Sequence, residues 1–244
     1  MKCLILAAGY ATRLYPLTEN FPKPLLKVGD KTILDWLVDD LDESNKIDEY
    51  VVISNAKFAE HFDTWAKGKK QKITVVNDGT YTNETRLGAV KDIEYALNER
   101  GIDDDVLIIA GDNVLDFSLT KFVDYAIEKG SSSIMRYYEE EVKKLSKSGV
   151  VTIDNSDKVL KMQEKPQNPE SNWCAPPFYY YTKDDVKKIG VAIKDGCAVD
   201  APGSFVSWLC TKSDVYAMQM PGRRYDIGNL DSYEKVCKEY KGIC

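Results

Sequence analysis

The sequence predicts an α/β fold built on a mainly parallel sheet, and three observations lead there. Short apolar strands alternate with amphipathic helices through the first half of the chain, the pattern of βαβ units. The 244 residues are 43% apolar and 30% charged, which fits a globular chain able to bury a core without staples. No internal repeat, low-complexity tract or linker interrupts the pattern, so a single domain is expected over residues 1–244.

Taken in order, residues 2–7 form an apolar strand, followed by a long loop with Gly9, Pro16, Pro22 and Pro24. Ile33, Leu34, Leu37, Val38 and Leu41 fall at helical spacing with acids on the opposite face. Residues 50–54 and 73–77 read as strands, and 57–66 and 87–97 as helices. The run Val106-Leu107-Ile108-Ile109-Ala110 is apolar enough to be a central strand, and Ser118 caps a helix over 119–127. The second half is less regular. A hairpin is expected where 149–153 and 158–162 flank Asp154-Asn155-Ser156-Asp157, then a strand at 178–181, a helix at 182–189 and a last helix at 233–241. Trp36, Trp65, Trp208 and Tyr180 read as packing residues, and the Glu139-Glu140-Glu141 run as a solvated surface.

Charge excludes some functions. Net charge is −6, a poor match to a nucleic-acid binder, which needs basic surface to neutralise phosphates. Residues 1–30, however, carry Lys2, Arg13, Lys23 and Lys27 against only Glu19 and Asp30, a basic island that suggests a local anion site. No apolar run reaches the roughly 18 residues of a membrane span. The N-terminal apolar stretch is too short for a signal peptide, with Arg13 and Pro16 following at once. Cys3, Cys174, Cys197, Cys210, Cys237 and Cys244 form no Cys-x-x-Cys pair and read as reduced thiols of a cytoplasmic protein. His61 is the sole histidine, which weighs against Ser–His–Asp hydrolysis and His-ligated zinc.

In open α/β sheets ligands bind beyond the carboxyl ends of strands, and three loops there carry unusual residues. Leu6-Ala7-Ala8-Gly9-Tyr10-Ala11-Thr12-Arg13-Leu14 lets backbone N–H groups approach a phosphate, with Arg13 as a fork and Lys23 as a point charge between two prolines. Read structurally, the same loop is a tight turn, and no Gly-Lys-Ser/Thr makes it a Walker A. Asp112, after the most apolar strand, needs a cation or an N–H cage if buried; as a turn cap it needs neither. Asp226 precedes a glycine before the last helix, where it reads equally as a helix-entry turn. Together the two acids would supply the carboxylate pair that Mg²⁺ takes alongside waters and phosphate oxygens.

The string Leu6-Ala7-Ala8-Gly9-x-Ala11-Thr12-Arg13-Leu14-x-Pro16-Leu17-Thr18, with Pro22-Lys23-Pro24-Leu25, resembles the signature of the sugar-1-phosphate nucleotidyltransferases, in their short form with a catalytic domain alone. Gly111-Asp112-Asn113, Glu164-Lys165-Pro166 and Tyr225-Asp226-Ile227-Gly228 follow in that family's order, so the resemblance spans nearly the whole chain. It implies a three-layer, Rossmann-like nucleotide-diphospho-sugar transferase fold, with a mixed, mainly parallel central sheet and helices on both faces. It also implies a nucleotide-binding half at 1–130 and an acceptor-binding half at 131–244. The implied reaction joins an NTP, with UTP or dTTP favoured, to a sugar 1-phosphate, giving an NDP-sugar and pyrophosphate with Mg²⁺ as cofactor.

The resemblance also distributes roles. Leu6, Ala7, Ala8, Gly9, Tyr10, Ala11 and Thr12 would line the nucleotide, with Asn83 and Gly88 toward the base. Arg13 would neutralise the departing phosphates, Lys23 would bind the α-phosphate or acceptor phosphate, and Asp112 and Asp226 would hold the metal. Gly149, Glu164, Lys165 and Tyr179 would bind the acceptor, Lys165 gripping its phosphate and Glu164 its hydroxyls. An attacking phosphate is already ionised, so the scarcity of histidine is no obstacle. The chain's length leaves no room for an appended β-helix domain, and the family suggests a homodimer.

Three departures stand out. Ala11 replaces a glycine of the usual G-x-G-T-R, and alanine disfavours positive φ. The 77–84 segment lacks the Gln-Pro pattern of the common thymidylyltransferases. Pro176-Pro177 precedes Phe178-Tyr179 where Gly-Leu-Tyr is usual, removing backbone donors. These keep open a cytidylyltransferase using CTP and a phosphorylated alcohol, amide or other small non-sugar phosphate. A metal-dependent glycosyltransferase would want Asp-x-Asp, which Asp112-Asn113-Val114 does not supply. A non-catalytic nucleotide-sugar sensor is the other rival, against which the full set of charged residues argues.

Overall fold

Burial of apolar strand residues explains the sheet segments directly. The structure, a computed structural model, describes residues 1–243. Backbone contacts divide the chain into two compact units. The first comprises Met1–Leu87, Ala110–Lys121 and the segment from Pro221 onward; the second comprises Gly88–Ile109 and Phe122–Met220. The chain therefore passes between units repeatedly. Among the described residues no helix is long and apolar enough to cross a membrane.

In the first unit Lys2–Leu6, Glu49–Ser54 and Ile73–Asn77 are parallel, with Leu6 opposite Ile53 and Ser54 opposite Asn77. Glu49–Ser54 lies between the other two and is buried at every position. Parallel neighbours need a crossover, and two helices supply it. Ile33–Asp42 buries Ile33, Leu34, Leu37, Val38 and Leu41, the stripe read from the sequence, and Ala59–Lys67 buries Ala59 and Phe62. Thr32 starts the first helix with a capping box: its Oγ1 accepts from the Asp35 N–H at 3.0 Å while Asp35 accepts from the Thr32 N–H at 2.9 Å. A small antiparallel pair, Asn113–Leu115 with Arg224–Asp226, sets Asp226 opposite Asn113. Strands of three residues carry no readable periodicity, so the sequence gives no warning of this pair.

The second unit is mixed. Phe178–Tyr181 runs antiparallel to both Val106–Ala110 and Ser132–Tyr138, and Val215–Gln219 joins Ser132–Tyr138 in parallel. Trp173–Ala175 pairs with Ser132–Tyr138 and with Gly149–Ile153, which forms the expected hairpin with Val159–Glu164. Trp173 pairs with Tyr138 and Tyr179 with Ile134, so an advance of six positions along 173–179 matches only four along Ser132–Tyr138. Pro176 and Pro177 lie in this slip, where lost N–H donors remove no ladder bonds. The helix expected at 182–189 is two helices, Lys183–Val186 and Ile189–Lys194. Helices Ala89–Arg100 and Gly203–Leu209 complete the unit's α content near its site residues. The fold class is α/β, with a mixed sheet and flanking helices.

Thr32→Ala removes one partner of the capping box and is expected to lower unfolding free energy by about 1 kcal/mol. Urea denaturation checks this; an unchanged midpoint would mean that the helix start is held by packing alone.

Candidate functional site

The first unit gathers the small-residue loop, Arg13 and Lys23 of the basic island, and Asp112 around one cavity, whereas Lys2 and Lys27 do not line it. As the Lys2–Leu6 strand ends, Ala7 and Ala8 are buried and Gly9 is exposed, with open space where a side chain would stand. Buried Asn55 pins the loop from below, its Nδ2 donating to the Ala8 carbonyl at 2.9 Å and its Oδ1 accepting from the Phe58 N–H at 3.1 Å. Tyr10 is buried with its hydroxyl 3.2 Å from Thr80 Oγ1, which ties the loop to the segment carrying exposed Asn83. Ala11 has φ +46°, so the alanine takes the left-handed conformation that its glycine counterpart would take freely. Its carbonyl is held there by the Thr18 hydroxyl at 2.8 Å and the Leu14 N–H at 2.9 Å. The following Thr12–Leu14 turn buries Leu14 and leaves Thr12 and Arg13 exposed.

A cavity of about 260 Å³ lies here, lined among others by Leu6, Ala7, Gly9, Ala11, Arg13, Lys23, Asp112 and Gly228. Gly111 allows the strand end to enter it: a Cβ there would lie 3.0 Å from Ile5 Cγ2 and 3.3 Å from the Leu6 carbonyl. Lys23 sits in a one-turn helix opened by Pro22, and only 6% of the residue is exposed. Its Nζ donates to Asp112 Oδ2 at 2.7 Å. Asp112 Oδ1 accepts from Asn113 Nδ2 at 2.7 Å, and Asn113 Oδ1 accepts from Arg224 at 2.7 Å. Arg224 also lies 3.6 Å from Asp226 Oδ1. Burial pushes the Asp112 carboxyl up, but Lys23, and more weakly Arg224, outweigh it and hold the group below its usual range. The cluster is thus two carboxylates interleaved with two cations.

That donor set suits a hard cation. Asp112 already holds a positive group, the Lys23 ammonium, and Asp226 is exposed one register position from it. Among the described residues no group of three or more His, Cys, Asp or Glu gathers as a metal cage. Two carboxylates leave most positions to water and phosphate, as Mg²⁺ requires, and fall short of a Ca²⁺ or Zn²⁺ cage.

The second unit gathers the other predicted residues. Gly88, at φ +93°, caps the Ala89–Arg100 helix; a Cβ there would lie 2.6 Å from the Val199 carbonyl. Glu164 lies in a slot between two glycines. A Cβ at Gly149 would meet Glu164 Oε2 at 3.3 Å, and one at Gly203 would meet it at 2.2 Å and Tyr179 Oη at 3.4 Å. Lys165 follows at φ +47°, its N–H donating to the Ser148 carbonyl at 3.0 Å; like Ala11, it is a candidate site residue held in left-handed backbone without being glycine. Burial pushes the Glu164 carboxyl above its usual value, with Lys165 opposing and Asp200 adding to the rise. Sequence reading missed Asn55, Asn113, Gly203 and Arg224. Arg224 stood in the Asp226 loop and was visible, whereas the glycine slot depends on contacts between residues far apart in sequence.

The family model described as nucleotidyl transferase matches residues 2–242. The chain is 33% identical over 186 residues to the bifunctional protein GlmU of Methanococcus aeolicus, covering 74% of this chain and 40% of that protein. It is 24% identical to a glucose-1-phosphate adenylyltransferase of Fervidobacterium nodosum, covering 94% of this chain and 59% of that one. It thus spans less than two thirds of the length of either relative. A solved UDP-glucose pyrophosphorylase, complexed with UDP-glucose, superposes with a TM-score of 0.84 over 98% of this chain and 97% of that chain at 19% identity, a likeness of fold.

Two stability measurements follow from these local geometries. Ala11→Gly relieves a left-handed alanine worth about 1–2 kcal/mol but adds unfolded-state entropy, so a change between zero and about +1 kcal/mol is expected. A loss above about 1 kcal/mol would mean that the methyl group packs usefully. For Glu164, a folded pKa above the ordinary 4.5 means that ionisation costs stability as pH rises through it. Glu164→Gln is therefore expected to raise the melting temperature at neutral pH and to lose that advantage as pH falls below the ordinary value. A constant offset at every pH would contradict the assigned cause.

Proposed function

Since the chain belongs to the nucleotidyl transferase family, we propose that it is a Mg²⁺-dependent transferase joining an NTP to a sugar 1-phosphate, with release of pyrophosphate. The observation that carries the reading is the cavity in which Arg13, Lys23 and Asp112 converge under the small-residue loop. Backbone N–H groups of 7–12 cradle the phosphates, and exposed Arg13 takes up charge on the leaving pyrophosphate. Lys23 is poised to exchange Asp112 for a phosphate oxygen. Asp112 and Asp226 would hold the metal, which on binding would polarise phosphoryl oxygens and offset their charge. The attacking acceptor oxygen is an ionised phosphate, so no side chain has to remove a proton, and catalysis is alignment plus neutralisation.

For the acceptor, Glu164 receives hydroxyls, Lys165 grips the phosphate, and Gly149 and Tyr179 shape the slot. Removal of donors at Pro176-Pro177 favours a second reading with the same chemistry, CTP and a small non-sugar phosphate. UTP or dTTP remains the nucleotide we favour; the UDP-glucose pyrophosphorylase of like fold supports UTP, while the adenylyltransferase relative brings ATP into contention.

Pyrophosphate release with Mg²⁺ is to be measured across UTP, dTTP, CTP, ATP and GTP against sugar 1-phosphates and phosphorylated alcohols. UTP or dTTP with a sugar 1-phosphate is expected to turn over; release with CTP and a non-sugar phosphate alone selects the second reading, and none with any pair overturns both. Asp112→Asn is expected to cut turnover by about 10²-fold or more with the fold intact. Wild-type rates in that variant would remove Asp112 from the metal site. Arg13→Ala, losing a cationic contact to the leaving group, is expected to cost about 10³-fold or more in kcat.

A further inference from the structure

We propose that Arg224 is a positioning residue for the carboxylate pair, acting on Asp112 through Asn113 and on Asp226 directly. The inference rests on the reading that Asp112 and Asp226 hold a divalent cation. Its basis is a chain of contacts whose polarity admits one arrangement. Asn113 is 1% exposed, and both ends of its amide are engaged. Arginine only donates and a carboxylate only accepts, so the amide oxygen faces Arg224 and the NH₂ faces Asp112. Without Arg224 the amide keeps only the Asp112 carboxylate to orient it and leaves its own buried oxygen without the arginine donor, so the Asn113–Asp112 contact is held less firmly.

The second arm is direct. Arg224 and Asp226 are two apart on one short strand and so project to the same face, 3.6 Å apart at their charged atoms. Asp226 stands opposite Asn113, which places the arginine between the group that orients one carboxylate and the other carboxylate itself. Both contacts run from the outer Nη1 of the guanidinium, 2.7 Å to Asn113 Oδ1 and 3.6 Å to Asp226 Oδ1, and a lysine ammonium, one atom shorter, ends before that position. Mg²⁺ demands near-octahedral geometry, so loosened carboxylates weaken its binding, whereas the cavity's phosphate contacts at Arg13 and Lys23 are untouched.

Outer-sphere partners of this kind typically contribute 10–100-fold to metal affinity. The test uses Mn²⁺ as probe, its free concentration followed by electron paramagnetic resonance with and without UTP, on the full chain. Arg224→Lys and Arg224→Met are each expected to weaken Mn²⁺ binding about 10-fold or more. Melting temperature should stay near wild type, and at saturating metal kcat should recover more fully than the metal requirement. Asn113→Ala should reproduce part of the loss, and the double variant should add little to Arg224→Met alone. Wild-type Mn²⁺ affinity in Arg224→Lys, or full additivity with Asn113→Ala, overturns the proposal. Asp112→Asn separates the two levels. If it abolishes Mn²⁺ binding while the Arg224 variants bind normally, only the positioning role falls. If it too binds normally, the metal reading falls with it.

Discussion

The Lys23–Asp112 ion pair is the constraint around which the first unit's site is arranged. A buried ammonium is costly unless an anion meets it: the Lys23 side chain is 8% exposed, and the chain meets it with Asp112, from 89 residues away. Pro22 and Pro24 fix the turn that delivers Lys23, Gly111 lets the strand end approach Leu6, and Asn113 occupies the other oxygen of Asp112. Each is a small local choice that only makes sense with the charge pair in place.

Charge balance then explains the site's composition. Two acids and two cations alternate through Lys23, Asp112, Arg224 and Asp226, so nothing in the ligand-free cluster is left to repel its neighbour. In the proposed reaction such a cluster would take a polyanion and a divalent cation together more readily than either alone, because each offsets what the other brings. The strained backbone at Ala11 and Lys165 lies beside the proposed nucleotide and acceptor residues, where rigid surroundings can sustain it. Glu164 shows the complementary logic: a carboxylate confined between Gly149 and Gly203, poorly solvated, gains when a hydroxyl arrives to donate to it.

The helix and strand pattern was legible wherever periodicity was strong. The buried stripe of Ile33–Asp42, the Val106–Ala110 strand and the hairpin of Gly149–Ile153 with Val159–Glu164 all follow from the spacing of apolar residues and from turn chemistry. Ser132–Tyr138 was not legible, because its buried Ser132, Ser133 and Arg136 break any apolar alternation while satisfying partners brought by other segments. The pair Asn113–Leu115 and Arg224–Asp226 was too short to show a period, although it sets Asp226 opposite Asn113, the neighbour of Asp112.

Sequence by itself determined the family, the kinds of group at the site and the α/β class, because motif order and hydrophobic period are local properties of the chain. Tertiary structure decided which atoms meet: that Asp112 is bound by Lys23 and Asn113 at once, that Arg224 reaches Asn113 and Asp226, and that two glycines confine Glu164. Hydrogen bonds and close approaches are set within a few tenths of an ångström by packing between remote segments, and no spacing along the chain encodes that distance.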